Sequence, residues 1–276
     1  MNMSAAQLAE YEDQGFLTLP DCFSDQEVRV INRELDALRA RELPGSVTER
    51  DGQTVRALHG VHMISEIMRR LSRHPRIVMP VRQMLGEDIY VHQFKINMKA
   101  AFKGDMWPWH QDYIYWQVED GMRAPRAITV AQFLDDVNEF NGPMLFIPGS
   151  HRHGVMSAPT RDDASDWHAH VSADLKYTLT PETVSRVVKE RGIVSTKGRR
   201  GSVVFFHCNV VHGSATNMSP FERRIAFVTF NSVSNALPPS RNPRPTFLVS
   251  RDFTPIKPLD DDALISCLPP AETVHA

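Results

Sequence analysis

A series of short apolar segments between residues 88 and 233 constrains the fold more than any other feature of the sequence. Four of them, AITVAQFL, GPMLFIPG, GSVVFFH and RIAFVTFNSV, are rich in β-branched and aromatic residues, and Gly, Pro, Asn and Asp separate them. This pattern is typical of an antiparallel β-sandwich or barrel. We therefore expect a mainly β protein with flanking helices and a double-stranded β-helix (jelly-roll) core.

The segment DIYVHQFKINMKA alternates between two faces, as a strand does. One face is predicted to carry Tyr90, His92, Phe94, Ile96 and Met98, and the other Gln93, Lys95, Asn97 and Lys99.

The first third of the chain is predicted to be mainly helical. Ser4 with Gln7 and Ser24 with Glu27 fit the capping-box pattern that begins a helix. A polar, irregular stretch from 155 to 180 precedes a further helix that begins after Thr180. Without an internal repeat or clear linker, we expect one domain over 1–276: a helical flank (1–85), a jelly-roll core (86–235) with a lid or insertion (155–192), and a C-terminal coil (236–276).

Charge and composition exclude several classes of function. The net charge is −2 with both signs spread along the chain, which argues against a nucleic-acid or polybasic membrane surface. No apolar run approaches the roughly 18 residues of a membrane span. The three cysteines form no CxxC pair, so neither a disulfide framework nor a thiolate zinc site is indicated. We expect a cytoplasmic protein that acts on a small molecule, without an obligate protein partner.

The stretch WPWHQDYIYW places two ionisable residues, His110 and Asp112, among aromatic ones. On a strand, residues two apart share a face. Such a pair alone fits a hydrogen-bonded structural pair as well as a metal site. A downstream cluster adds His212 before Gly-Ser, with Arg223 eleven residues later. Two imidazoles and one carboxylate are the facial set of non-haem Fe(II) enzymes, which leaves coordination positions open.

Three motifs together make the resemblance specific: WHQDYIYWQVEDGMRAPRAI, NGPMLFIPGSHRHG and HGSATNMSPFERR. They resemble the phytanoyl-CoA dioxygenase family of Fe(II)/2-oxoglutarate-dependent oxygenases, and within it the ectoine hydroxylases and the bacterial, leucine-type hydroxylases of free amino acids. The resemblance covers most of the chain. It implies iron ligation by His110, Asp112 and His212.

The resemblance also implies roles for five residues around the iron. Arg223 matches the arginine that binds the distal carboxylate of 2-oxoglutarate, and Ser214 and Asn97 match positions beside it. Gln93 and Trp116 match substrate positions of ectoine hydroxylases. The neighbouring Arg224 is a rival to Arg223, because adjacent strand residues face opposite ways and the residues alone do not decide between them.

The implied activity is hydroxylation of an unactivated C–H bond of a free L-amino acid or analogue, leucine-like, cyclic or citrulline-like. The reaction uses Fe(II) as a cofactor and consumes 2-oxoglutarate and O₂, with succinate and CO₂ as co-products. Retention of Asp112 favours hydroxylation over halogenation, since related halogenases carry a small residue there. Desaturation, epoxidation, a carrier-bound or non-amino-acid substrate, and a non-enzymatic jelly roll that binds a ligand remain open alternatives.

Several other polar residues are weaker candidates. His151 at the end of a strand and Arg126 in PRAITV are expected to reach the substrate, with a turn and a surface salt bridge as the respective alternatives. Val171 lies where the resemblance places a substrate-contacting loop. His207 is expected to be a core residue rather than a ligand. No metal role is assigned to Trp167, His168 and His170, and His59 and His62 are placed in an irregular segment.

Overall fold

Two antiparallel sheets face each other at the centre of the protein. The computed structural model describes residues 2–159, 167–171 and 174–266. In spatial order, the larger sheet contains β1 (Phe16–Leu19), β11 (Val203–His207), β6 (Ala127–Phe133), β13 (Arg223–Ser232), β4 (Ile89–Lys99), β3 (Val55–His59) and β2 (Ser46–Thr48). The smaller sheet contains β10 (Val194–Thr196), β7 (Met144–Phe146), β12 (His212–Ser214) and β5 (Trp107–His110). This is the double-stranded β-helix architecture that the sequence predicts.

The space between the two sheets is filled mainly by aromatic side chains. Phe16 of the larger sheet stacks on Phe146 of the smaller one with ring centroids 4.7 Å apart. Phe206 lies 5.3 Å from Phe146. Each aromatic ring removes a large apolar area from water, so this layer holds the sheets together. The polar site described below adjoins the layer, since the ring centroid of Phe206 lies 5.0 Å from that of His212.

Six helices surround the sheets: α1 (Ala5–Gln14), α2 (Asp25–Arg39), α3 (Glu66–Ser72), α4 (Pro75–Leu85), α5 (Tyr113–Asp120) and α6 (Pro181–Arg191). Both predicted capping boxes are confirmed, at the start of α1 and of α2. The apolar faces of α2 and α4 pack on the outer face of the larger sheet, which includes Phe94 and Ile96. None of the described helices combines the length and apolar character needed to cross a bilayer.

The predicted alternation of β4 holds only from its middle onward. Phe94, Ile96 and Met98 pack toward the helices, as expected. Before them, the register with β13 shifts between Val91 and Gln93, so His92 is an extra residue in a β-bulge. A bulge moves the residues before it to the opposite face. Tyr90 and His92 therefore do not share the face of Phe94, and that part of the prediction is wrong.

The N-terminal region contains more strand than the sequence indicates. Besides β1, which the segment FLTLP (16–20) predicts, this region supplies β2 and β3 to the edge of the larger sheet. His59 ends β3 and pairs in register with Lys95 of β4, so the expectation of an irregular segment there is wrong. A short 3₁₀ helix, Val61–Met63, follows and includes His62.

The insertion after β7 is partly outside the described residues. Its described part includes the two-stranded pair β8 (Ala158–Pro159) and β9 (Tyr177–Thr178) and a 3₁₀ turn at Trp167–His170. α6 begins after the N-cap Thr180 with Pro181 at its first position, as predicted. Residues 160–166 and 172–173 of the predicted lid lie outside the described part.

Candidate metal centre and its two cavities

Three elements bring His110, Asp112 and His212 together. His110 ends β5, and His212 begins β12; the two are register partners on adjacent strands. Asp112 is the N-cap residue of α5, with a helical backbone conformation. The predicted side-by-side placement on one strand is therefore wrong, because the strand ends at His110. The turn into α5 directs the carboxylate toward the two imidazoles instead.

The donor atoms of these three residues converge. One carboxylate oxygen of Asp112 lies 3.7 Å from Nε2 of His110, and the other lies 3.9 Å from Nε2 of His212. One donor atom from each residue can be chosen so that all lie within 4.8 Å of one another, and all three side chains are buried. This spacing suits three ligands around one ion, and the donor set fits Fe(II).

Each imidazole is oriented by a backbone carbonyl. Nδ1 of His110 donates to the carbonyl oxygen of Pro108 at 2.6 Å. Nδ1 of His212 donates to the carbonyl oxygen of Val210 at 3.1 Å. A proton held on Nδ1 leaves the Nε2 lone pair available, which is the usual arrangement for a metal-binding histidine.

The charges of the three residues match the demands of a cation site. Burial lowers the pKa of His212 to about 3, so its imidazole is neutral at physiological pH. Burial would raise the pKa of Asp112, but the positive charge of Lys95 and the imidazole of His212 outweigh it and lower the pKa. At neutral pH the site therefore presents a neutral nitrogen donor from His212 and an anionic oxygen donor from Asp112.

A cavity of ≈ 390 Å³ extends from the three residues to Arg223 at its far end. Arg223 is 1% exposed, and its Nη2 donates to the carbonyl of Gly142 at 2.9 Å. Nε of Arg223, Oγ of Ser214 and Oδ1 of Asn97 are buried and have no hydrogen-bond partner among the described residues. Buried polar atoms are nearly always paired, so this end of the cavity is built for a polar ligand.

Further basic side chains lie behind Arg223. Lys99 is its register partner on β4, and the Lys99 amino group donates to the carbonyls of Asp105 and Ala215. Burial, together with Arg223 and Arg56, lowers the pKa of Lys99 to about 6, so its amino group is mostly neutral at physiological pH. Burial likewise lowers the pKa of Arg223 to about 9, which still leaves it protonated. A ligand anion would offset the buried charge of Arg223.

The structure distinguishes Arg223 from its neighbour Arg224. The Arg224 side chain faces away from the cavity and binds Asp135 through Nε at 2.8 Å and Nη2 at 2.7 Å. Only Arg223 of the two lines the cavity described above.

A second cavity of ≈ 420 Å³ opens on the other side of Asp112. Three predicted substrate residues line it, Gln93, Trp116 and Val171. Nε2 of Gln93 donates to the carbonyl of Leu248 at 2.9 Å, which fixes the orientation of its amide. Four further residues line this cavity, and the sequence did not predict them as substrate residues: His59, Tyr115, Leu175 and Arg244.

Lys95 and Trp107 line both cavities, although the sequence did not predict either as a site residue. Lys95 lies between Gln93 and Asn97 on the same strand face, so the alternation of β4 was a sufficient signal for it. Trp107 is held by the guanidinium of Arg56, whose central carbon lies 3.9 Å from the ring centroid. Arg56 is itself buried and bound to Glu49 at 2.8 Å. No local sequence signal points to that contact.

Two predicted substrate residues are not among the described residues that line either cavity, and both expectations need correction. Arg126 is half exposed and binds Glu87 and the carbonyl of Leu85 at the surface. His151 turns toward the end of α1, where a Cβ on Gly15 would lie 2.4 Å from its Nδ1.

His207 is not a member of the metal-binding group found among the described residues, and its side chain is half-buried. Its Nδ1 accepts a hydrogen bond from the backbone of Asn209 at 3.0 Å. His168 is exposed and also lies outside that group. The side chain of His170 is outside the described part of the chain.

Known proteins are similar to this chain over most of its length. Residues 11–225 match the family model described as phytanoyl-CoA dioxygenase (PhyH). An L-proline trans-4-hydroxylase of Streptomyces griseoviridis is 42% identical over 270 residues, covering 96% of this chain and 100% of the relative. The crystal structure of EctD from S. alaskensis with 2-oxoglutarate and 5-hydroxyectoine has 33% identity and a TM-score of 0.77, covering 90% of this chain and 84% of EctD.

A second crystal structure of EctD from S. alaskensis, with bound Fe, has 32% identity and a TM-score of 0.79, covering 93% of this chain and 87% of that one. The family match covers the smaller sheet, the larger sheet up to the start of β13, and all three residues of the candidate metal centre. The chain belongs to the phytanoyl-CoA dioxygenase family.

Proposed function

We propose that this protein is an Fe(II)/2-oxoglutarate-dependent dioxygenase that hydroxylates an unactivated C–H bond of a free L-amino acid or close analogue. One observation carries the proposal: two cavities of different chemistry meet at one buried His-Asp-His group. One cavity ends in an arginine suited to a dicarboxylate. The other is lined by aromatic and polar groups suited to a small substrate. The activities named for the relatives support the same conclusion.

His110, Asp112 and His212 would hold the iron from one side, which leaves its other side facing the two cavities. The bound iron supplies the centre at which O₂ is reduced while 2-oxoglutarate is oxidised to succinate and CO₂. The protein needs no nucleophile or general base for this reaction. It contributes the positions of the reactants, the charges around them and the exclusion of water.

Arg223 would bind the distal carboxylate of 2-oxoglutarate through its planar fork of N–H donors. The unpaired Oγ of Ser214 and Nε of Arg223 offer further hydrogen bonds at the same end of the cavity. Asn97 would orient the co-substrate from the β4 side. These groups place the opposite, keto-acid end of 2-oxoglutarate at the iron ligands.

The substrate would occupy the second cavity, between Gln93, Trp116 and Val171. Trp107 and Tyr115 complete an aromatic wall that keeps water from the reacting centre. A cyclic imino acid such as L-proline is the first candidate, because a proline hydroxylase shares 42% identity over nearly the whole chain. Ectoine, a cyclic amino-acid derivative, is the second, because the product bound in EctD is 5-hydroxyectoine. A cytoplasmic site of action is part of the proposal.

The test is a reconstitution with purified protein, Fe(II), ascorbate and 2-oxoglutarate. The panel contains L-proline, L-pipecolate, L-leucine, L-citrulline and ectoine. We expect succinate to form in step with a product heavier by one oxygen atom, as measured by mass spectrometry. A product lighter by two hydrogens would instead indicate desaturation.

Asp112→Ala should abolish both iron uptake and succinate formation, while Asp135→Ala, which alters a carboxylate outside the cavities, should abolish neither. If the Asp112→Ala protein kept full activity, the ligand assignment would be wrong. If the wild type bound iron and 2-oxoglutarate but turned over no panel compound, the amino-acid substrate class would be wrong.

A further inference from the structure

His59 is a buried polar residue in the substrate cavity to which the sequence assigns no role. It is 4% exposed and lines the cavity together with Gln93 and Arg244. Neither of its ring nitrogens has a hydrogen-bond partner among the described residues. Buried side-chain polar atoms usually have partners, and each one left unpaired costs free energy. Two unpaired nitrogens beside a ligand cavity therefore indicate a contact that the ligand completes.

The backbone around His59 is fully used, so the position of the ring is well determined. The His59 amide donates to the carbonyl of Gly45 at 2.9 Å, and on the other side β3 pairs with β4 opposite Lys95. The approach to Gly45 is so close that a Cβ there would lie 2.5 Å from the His59 carbonyl oxygen. Strand pairing on both sides thus fixes the direction of the side chain, and the ring lies in the cavity rather than at the surface.

The charges around the ring favour an anion as its partner. Burial, Lys95 and Arg244 lower the pKa of His59 to about 3, so the ring is neutral and carries one N–H donor and one acceptor nitrogen. Arg244 is itself held by the buried carboxylate of Asp120, through Nε at 3.0 Å. Two cationic side chains and an N–H donor therefore border the same region of the cavity.

We propose that His59 is a specificity-determining residue that donates an N–H hydrogen bond to the carboxylate of the amino-acid substrate, beside Lys95 and Arg244. The inference rests on the proposed function and adds to it a means of selection. The cavity would reject analogues in which a neutral amide replaces the carboxylate, because the His59 N–H would then lose its anionic acceptor and Lys95 a nearby negative charge. A site built to bind a polar group discriminates strongly against ligands that lack it.

The test compares His59→Leu, which removes both ring nitrogens, with His59→Gln, which keeps an N–H donor of similar reach. His62→Leu is the matched control, because His62 is also a buried histidine but stacks on Phe94, outside both cavities. Each iron-loaded enzyme is assayed with the most active panel amino acid and with its primary carboxamide. Thermal unfolding is measured alongside, and the KM for 2-oxoglutarate is determined for every variant.

In His59→Leu we expect the KM for the amino acid to rise by roughly tenfold or more, as for loss of one hydrogen bond to a charged group. The preference for the amino acid over its carboxamide should shrink by a similar factor. The KM for 2-oxoglutarate should stay unchanged. His59→Gln should recover most of the preference, and His62→Leu should resemble the wild type.

Two results would overturn the assignment of His59. The first is an unchanged preference in both His59 variants. The second is an equal loss of kcat with both compounds and a raised KM for 2-oxoglutarate, which would show a purely structural role. If His59→Leu does not fold, His59→Phe, which keeps an aromatic ring but has no nitrogen donor, takes its place, and an unchanged preference in that enzyme overturns the assignment. A wild type that turns over no amino acid would overturn the proposed function itself, and His59 with it.

Discussion

An Arg223→Met substitution should weaken the binding of 2-oxoglutarate while it leaves the iron site in place. Methionine fills a similar volume but has no N–H donors. Arg223 lies at the end of its cavity remote from His110 and His212, and its contact with the protein is a single hydrogen bond to Gly142 at 2.9 Å. The substitution therefore removes mainly the groups that would face the carboxylate of the co-substrate.

The size of the effect follows from the lost hydrogen bonds. A hydrogen bond to a charged group contributes about 1.5–3 kcal/mol, and the guanidinium fork can offer two. Two such bonds at the lower value correspond to a loss of about 3 kcal/mol. At about 1.4 kcal/mol per factor of ten, that loss corresponds to a rise in KM for 2-oxoglutarate of roughly 100-fold. Initial rates of succinate formation at saturating amino acid measure it.

Arg224→Met is the matched control for this experiment. It removes the same functional group from the adjacent residue, whose partner Asp135 lies outside the cavity. Its KM for 2-oxoglutarate should stay near the wild-type value, and both variants should bind one equivalent of iron. The reasoning is refuted if Arg223→Met keeps the wild-type KM, or if Arg224→Met raises the KM by a comparable factor.

Three further outcomes are expected. The affinity for 2-oxoglutarate should increase as the pH falls through about 6, because Lys99 then gains a charge next to the anion site; calorimetric titration should show that Lys99→Met removes this dependence. Burial lowers the pKa of His92 to about 3, so the unfolded chain binds an extra proton between about pH 6.5 and 3 and stability falls with the pH in that range. His92→Phe should therefore lose about 3 kcal/mol less free energy of unfolding than the wild type between pH 7.5 and 4.5, as measured with urea. Tyr115→Phe removes the hydroxyl that hydrogen-bonds to the carbonyl and the amide of Tyr177 and so ties the insertion to α5. We therefore expect this variant to form more succinate per hydroxylated product, as quantified by chromatography.

Local signals predicted the parts of the fold that depend on neighbours in the sequence. The capping boxes at Ser4 and Ser24 begin helices because their hydrogen bonds close within three residues. Strand composition likewise located the core of the barrel. The β-bulge at His92 could not be predicted, because it is defined by the register with β13, far along the chain. The placement of β3 at the sheet edge depends on β4 for the same reason.

The candidate site shows the same division. Residue type and spacing indicated His110, Asp112 and His212, and the family resemblance assigned them as iron ligands, although Asp112 reaches the site from a helix N-terminus rather than a strand. Arg126 and His151 were misplaced because a sequence does not show which way a side chain at a strand end turns. His59 and Arg244 were missed because they come from segments that meet only through tertiary packing.

The direct pairing of β5 with β12 has a consequence for the stability of the protein, separate from its reaction. His110 and His212 are opposite each other on these strands, so an ion bound by both would cross-link two strands of the smaller sheet. A ligand that binds only the folded chain at a hundred times its dissociation constant adds about 2.7 kcal/mol of stability. Cells starved of iron would then hold a looser, more protease-sensitive form, so supply of the metal would set the amount of the enzyme as well as its rate.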